Sequence, residues 1–139
     1  MLFPKKVKYR KWHTMRENPK KVGPATRGIK VSFGSFGLKA MTPGRITSKQ
    51  IESARKAITH NLGKTGRVWI RIFPDMPFTK KPAEVKMGKG KGDIEGYLTR
   101  VLSGQVMFEV DGVTDTVAIE SLRKGGTKMP VKTKVVARI

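Results

Sequence analysis

Residues 46–73 read ITSKQIESARKAITHNLGKTGRVWIRIF, a helix and a strand set back to back. Thr47 stands three residues before Gln50, the spacing at which a threonine cap and a glutamine satisfy each other's backbone donors. Ile51, Ala54, Ile58 and Leu62 then recur at intervals of three and four, one apolar stripe along a helix that Gly63 ends. After a short turn, residues 67–73 alternate strictly, the period of a strand with two different faces. Val68, Ile70 and Ile72 point toward the helix, whereas Arg67, Trp69, Arg71 and Phe73 point away. An amphipathic helix followed by an amphipathic strand predicts helices packed on a sheet, an α+β class.

Upstream, Ile29, Val31 and Phe33 alternate on one face, and Phe36 and Leu38 continue on the opposite parity. A strand is therefore expected from residue 29, with a bulge or bend around Gly34. Downstream, residues 74–84 (PDMPFTKKPAE) hold Pro74, Pro77 and Pro82, which exclude a central strand and suggest a stiff connection. Residues 94–102 and 105–110 read as two strands joined by Ser103 and Gly104 as a tight hairpin. A second helix is expected with Thr114 as cap, Val117, Ala118 and Leu122 buried, and Gly125 and Gly126 ending it. Residues 131–135 alternate once more and return to the sheet.

Charge is distributed unevenly. Thirty Lys and Arg against ten Asp and Glu give a net charge of +20 in 139 residues. Residues 1–30 carry +9 of it and residues 93–139 only +1. So lopsided a positive balance implies a polyanionic partner on one side of the molecule. Residues 1–28, broken by Pro4, Pro19, Gly23 and Pro24, read as an extended basic arm ahead of one α+β unit over residues 29–139. In the arm, Lys5, Lys6, Lys8, Arg10, Lys11 and Arg16 are interleaved with Phe3, Tyr9, Trp12 and His13. Cations of this kind meet phosphates and flat rings stack on bases, whereas disordered solubilising tails are poor in aromatics. The helix adds Lys49, Arg55, Lys56 and His60 on its polar face with Arg45 just before it, a pattern that serves a solvated face or phosphate contact. On the strand, Arg67 and Arg71 beside aromatic rings suit an RNA platform, or a second covered face with the guanidinium groups at its edge. Residues 85–92, VKMGKGKG, alternate glycine with lysine, giving a loop that bends freely, carries mobile charge and gains order from a partner.

Other functions are disfavoured. Without cysteine there is neither a disulfide nor a thiolate metal site, which fits a reducing compartment. His13 and His60 are isolated, no acidic cluster suggests a metal, and the glycine-lysine loop lacks the GxxxxGK[ST] order of a nucleotide-binding loop. No enzymatic site, cofactor, metal or small-molecule substrate is expected. No apolar run approaches the ~20 residues that cross a bilayer, and no secretory signal opens the chain, so neither a membrane nor export is expected.

The runs VSFGSFGLKA (31–40), GRITSKQIESARKAI (44–58), WIRIFPDMPFTKKP (69–82) and MGKGKG (87–92), with the opening MLFPKKVKYRKWH, closely resemble the bacterial-type large-subunit ribosomal protein family L-sixteen. The resemblance implies two helices on a mostly antiparallel, bent sheet, as in the related archaeal and eukaryotic L-ten-e proteins. It also implies partners: large-subunit rRNA beside the peptidyl-transferase centre, tRNA in the A and P sites, and neighbouring large-subunit proteins, in a cytoplasmic ribosome. The tRNA-facing loop of that family corresponds to Lys86, Met87, Gly88, Lys89, Gly90, Lys91 and Gly92, and the basic arm and first helix would lie in rRNA. Two departures stand out. Many relatives carry, immediately before MGKGKG, an arginine that an oxygenase hydroxylates in some bacteria; this chain has Lys86 there, so that modification does not carry over, and the text between Thr14 and Gly28 is longer than in many relatives. A non-ribosomal RNA chaperone of similar composition is the alternative.

Overall fold

The structure, a computed structural model, describes residues 1–12, 22–81, 88 and 90–139. The elements run β1 (Phe36–Ala40), β2 (Gly44–Thr47), α1 (Ser48–Leu62), β3 (Arg67–Ile70), β4 (Met76–Lys80), β5 (Asp93–Val101), β6 (Val106–Asp111), α2 (Asp115–Gly126) and β7 (Thr133–Ala137). The α+β class holds, and what was expected as one bent sheet is two antiparallel sheets. One has four strands in the order β3-β6-β1-β7, the other three in the order β2-β5-β4.

The helix read from residues 47–63 forms as expected. Thr47 N–H donates to Gln50 Oε1 at 2.9 Å and Gln50 N–H to Thr47 Oγ1 at 3.3 Å, the reciprocal capping box. Ile51, Ala54, Ile58 and Leu62 are all buried and meet Leu38, Phe108, Val110, Ala118 and Leu122 in one core. The second helix differs from expectation at its end. Gly125 and Gly126 lie inside α2, because a Cβ on Gly125 would stand 2.5 Å from Ile58 Cγ1 and one on Gly126 2.4 Å from Thr133 Oγ1. They serve close packing of α2 on α1 and β7 instead of a helix stop. Val117 is exposed, Ser121 takes its place on the buried side, and Thr114 makes no side-chain cap bond.

Three strand expectations are corrected. The strand begins at Phe36, not residue 29, because the amides of Ser32, Phe33 and Gly34 donate to the Glu109 carboxylate and are lost to any ladder. The bend at Gly34 is real: a Cβ there would lie 2.4 Å from the Val110 carbonyl oxygen. Secondly, β5 and β6 do not pair as a hairpin. Gly104 N–H donates to the Ala40 carbonyl, and Leu102 N–H to Gln105 Oε1, so the chain steps from one sheet to the other. Thirdly, residues 76–80 are a strand despite Pro77. It lies at an edge of the three-stranded sheet, where a missing N–H costs no ladder bond. Residues 106–110 are buried throughout, so β6 has both faces covered, by the helices on one side and by the chain before β1 on the other.

Candidate nucleic-acid interface

The glycine-lysine loop joins β4 to β5, whose last paired residues are Lys80 and Asp93. It is thus the tip of an antiparallel hairpin. Lys86, Met87 and Lys89 lie outside the described residues; Gly88 and Gly90 take φ of 101° and 100°, and an added Cβ at either would meet nothing within 4 Å. At the root, Lys81 Nζ donates to the Gly88 carbonyl.

The beginning of the arm is held down by the fold. Leu2 packs on the core, the Met1 amino nitrogen lies 3.7 Å from Glu52, and the Phe3 ring meets Tyr97 of β5 edge-on at 6.1 Å. Nine residues later it reaches the loop's root: Lys11 Nζ donates to the Lys91 carbonyl at 3.3 Å, and Lys91 Nζ to the Trp12 carbonyl. Arm and loop therefore bring Lys11, Trp12 and Lys91 together. Lys5, Lys6, Lys8 and Arg10 are exposed between these anchors, with Lys8 Nζ 5.5 Å from the Tyr9 ring centroid. His13 and Arg16 lie outside the described residues.

On α1, Lys49, Lys56 and His60 are exposed, as is Arg45 on β2. Arg55 is half-buried and paired with Glu52, whose carboxyl the guanidinium holds below its ordinary range. Sequence reasoning missed the neighbours of Lys56 and His60. An open groove of about 770 Å³ between α1 and α2 is lined by Ser53, Lys56, Ala57, His60 and Asn61 from one side and Lys124, Thr127 and Lys128 from the other. None of these is acidic, and Lys124 Nζ donates to Asn61 Oδ1 at 3.0 Å. The sequence signal was present in the cations closing α2, but only the α1–α2 packing brings them to Lys56.

Arg67 is exposed on β3. Arg71 has an internal partner: its Nη1 lies 2.5 Å from Glu109 Oε2, while Glu109 Oε1 accepts from the amides of Ser32 (2.6 Å), Phe33 (2.9 Å) and Gly34 (3.3 Å). Glu109 is 0% exposed. Burial pushes its carboxyl up, but the Arg71 guanidinium and the three amides outweigh burial and hold it below its ordinary 4.5. The Phe33 ring stacks with Trp69, 6.3 Å between centroids and 19° between planes, with Arg71 Cζ 5.1 Å from the Phe33 centroid.

Among the described residues, no group of three His, Asp or Glu is placed to hold a metal, and no helix is long and apolar enough to cross a membrane. The geometry of the described residues is that of a cation-rich surface. Comparison with known proteins decides whose surface it is: the family model for ribosomal protein L16p/L10e matches residues 4–136. The chain belongs to that family. It is similar to the large ribosomal subunit protein uL16 of Rhodopseudomonas palustris, 55% identical over 139 residues that cover 100% of this chain and 98% of the relative. It is likewise similar to the uL16 proteins of Caulobacter vibrioides (54% identical, covering 100% of this chain and 94% of the relative) and Afipia carboxidovorans (53%, 100% and 98%). The family is a structural, non-enzymatic class of ribosome component.

Proposed function

We propose that this chain is a structural component of the large ribosomal subunit of a cytoplasmic ribosome, bound to large-subunit rRNA beside the peptidyl-transferase centre. Its glycine-lysine loop touches tRNA in the A and P sites. The arm, the polar face of α1 and the α1–α2 groove take rRNA phosphates, and neighbouring large-subunit proteins complete its surroundings. The observation that supports this most is the placing of the loop at the tip of the β4–β5 hairpin with the arm anchored at its root. A packed scaffold thereby carries the lysine-bearing connection between two paired strands, with Lys11 of the arm at its root.

Lys86, Lys89 and Lys91 supply point charges, and the intervening glycines admit close approach of the main chain to a phosphate backbone. Contacts of this kind ignore base sequence, which suits a site that must accept every elongator tRNA and then release it. The test is tRNA binding to reconstituted large subunits carrying Lys89→Ala and Lys91→Ala, measured against salt. Two lost phosphate contacts flatten the log-log slope by about 1.4 to 1.8. Unchanged affinity and slope remove the loop from tRNA binding while leaving the rRNA role standing.

A further inference from the structure

We propose that Phe33 is a stacking platform for one unpaired RNA base, a role that rests on the rRNA reading above but uses a site outside the arm, the loop and the helices. Phe33 is 55% exposed, a large apolar ring left in solvent on a short turn. Such a ring usually belongs to a mobile loop; here the backbone beneath it is pinned. Its own amide and those of Ser32 and Gly34 converge on one oxygen of Glu109, a fully buried carboxylate whose other oxygen is matched by Arg71. Close packing of Gly34 on the Val110 carbonyl fixes the next residue as well. The ring's orientation is set in turn by Trp69 and the Arg71 guanidinium.

A buried charge, three converging amides and a guanidinium thus hold in one place a ring that buries less than half of itself. Core packing does not require this, since an exposed ring contributes little to the core. Stacking does, because a ring already immobilised loses little further freedom when a base lies on it. The rim identifies the occupant. Exposed Lys30 stands three residues before Phe33 and exposed Arg67 two residues before its ring partner Trp69 on the same strand, while Arg71 Nη1 is 3.3 Å from the Lys30 carbonyl, so the stretches that carry the ring also supply cations for the phosphates on either side of a stacked base. An apolar protein segment would leave those charges unmatched; a splayed single strand satisfies both the ring and the rim.

The experiment uses the full chain with Trp12→Phe, which leaves Trp69 as its only tryptophan and a reporter beside Phe33. It is titrated with a ten-nucleotide oligoadenylate and with a sugar-phosphate decamer of equal charge that lacks bases. The oligoadenylate is expected to quench Trp69, and Phe33→Leu to weaken its binding by about 5- to 150-fold, the range for one base–aromatic stack. Binding of the baseless decamer should be unmoved, and Phe33→Tyr should restore the loss. Equal weakening on both decamers would show a merely structural ring and overturn the proposal, as would no weakening on either. Failure of the unsubstituted protein to bind either decamer would overturn it differently, by removing the RNA reading beneath it.

Discussion

Replacing Glu109 by glutamine tests the best-defined polar constellation in the molecule. The carboxylate is wholly buried and makes four contacts, three from backbone amides and one from Arg71. Glutamine is nearly isosteric but must turn one end of its amide, a donor, toward donors. If its oxygen keeps the three amides, its NH2 faces the Arg71 guanidinium, and that charge remains unpaired with 20% of its side chain exposed. Breaking one partner out of a buried pair costs ~3–5 kcal/mol; partial solvation of Arg71 puts this case near the lower end, about 3 kcal/mol. Urea unfolding of the free protein at pH 7, followed by circular dichroism, reads the difference directly.

The sign with pH follows from the depressed carboxyl. Its folded pKa lies below the ordinary 4.5, so its stabilisation is complete above that value and is lost as pH falls through the folded pKa. The gap between the two proteins should hold from pH 7 down to about 5, begin to shrink below 4.5 and close only in acid below the depressed folded pKa, where both side chains are neutral. Adding Arg71→Met to the glutamine variant should recover part of the loss, because the orphaned guanidinium goes with it. A difference under about 1 kcal/mol at pH 7, the worth of an ordinary hydrogen bond, would refute the constellation's structural role, as would a gap that ignores pH.

Two further outcomes follow from packing and charge. Gly125→Ala gains up to about 1 kcal/mol of helix propensity but drives a methyl within 2.7 Å of both Ile58 Cγ1 and Cδ1. Overpacking of ~1–3 kcal/mol wins, so thermal unfolding should show a net loss, and a stabilised variant would mean that the α1–α2 contact is looser than described. In the α1–α2 groove, Lys56→Gln together with Lys128→Gln should flatten the salt dependence of rRNA binding by about 1.4 to 1.8 in log-log slope. An unchanged slope in a filter-binding titration would take the groove out of the rRNA interface.

What was legible in the sequence was local. The capping box at Thr47 and Gln50, the stripe from Ile51 to Leu62 and the alternation at Val68 and Ile70 each specify an element from within its own residues, and each forms. The pairing of strands was not legible, because β5 and β6 adjoin in the chain and a Ser-Gly turn between alternating runs is as compatible with a hairpin as with a step between sheets. The contact that decides it, Gly104 to the Ala40 carbonyl, lies sixty-four residues away in sequence. Phe33 was misread for the same reason: alternation at Ile29, Val31 and Phe33 is real, but Glu109, far along the chain, takes the amides that a ladder would need. The candidate site could be read from the sequence only as composition and, at the loop, as a motif. Its assembly depended on long-range neighbours, Lys124 beside Asn61 and Lys11 beside Lys91.

Those long-range neighbours also bear on how stability and binding are divided. A net charge of +20 on 139 residues opposes compaction of the free chain, and the core that resists it among the described residues is the cluster that the two helices share with strands of both sheets. On the proposed function, rRNA that binds only the folded form would add its binding energy to that core and neutralise the repulsion together. Variants such as Glu109→Gln and Gly125→Ala should therefore be penalised most before assembly, when the protein is free, and least once it is in the particle. Lysine changes in the loop act oppositely: they leave the free protein's core untouched, and even relieve its self-repulsion, while weakening what it holds.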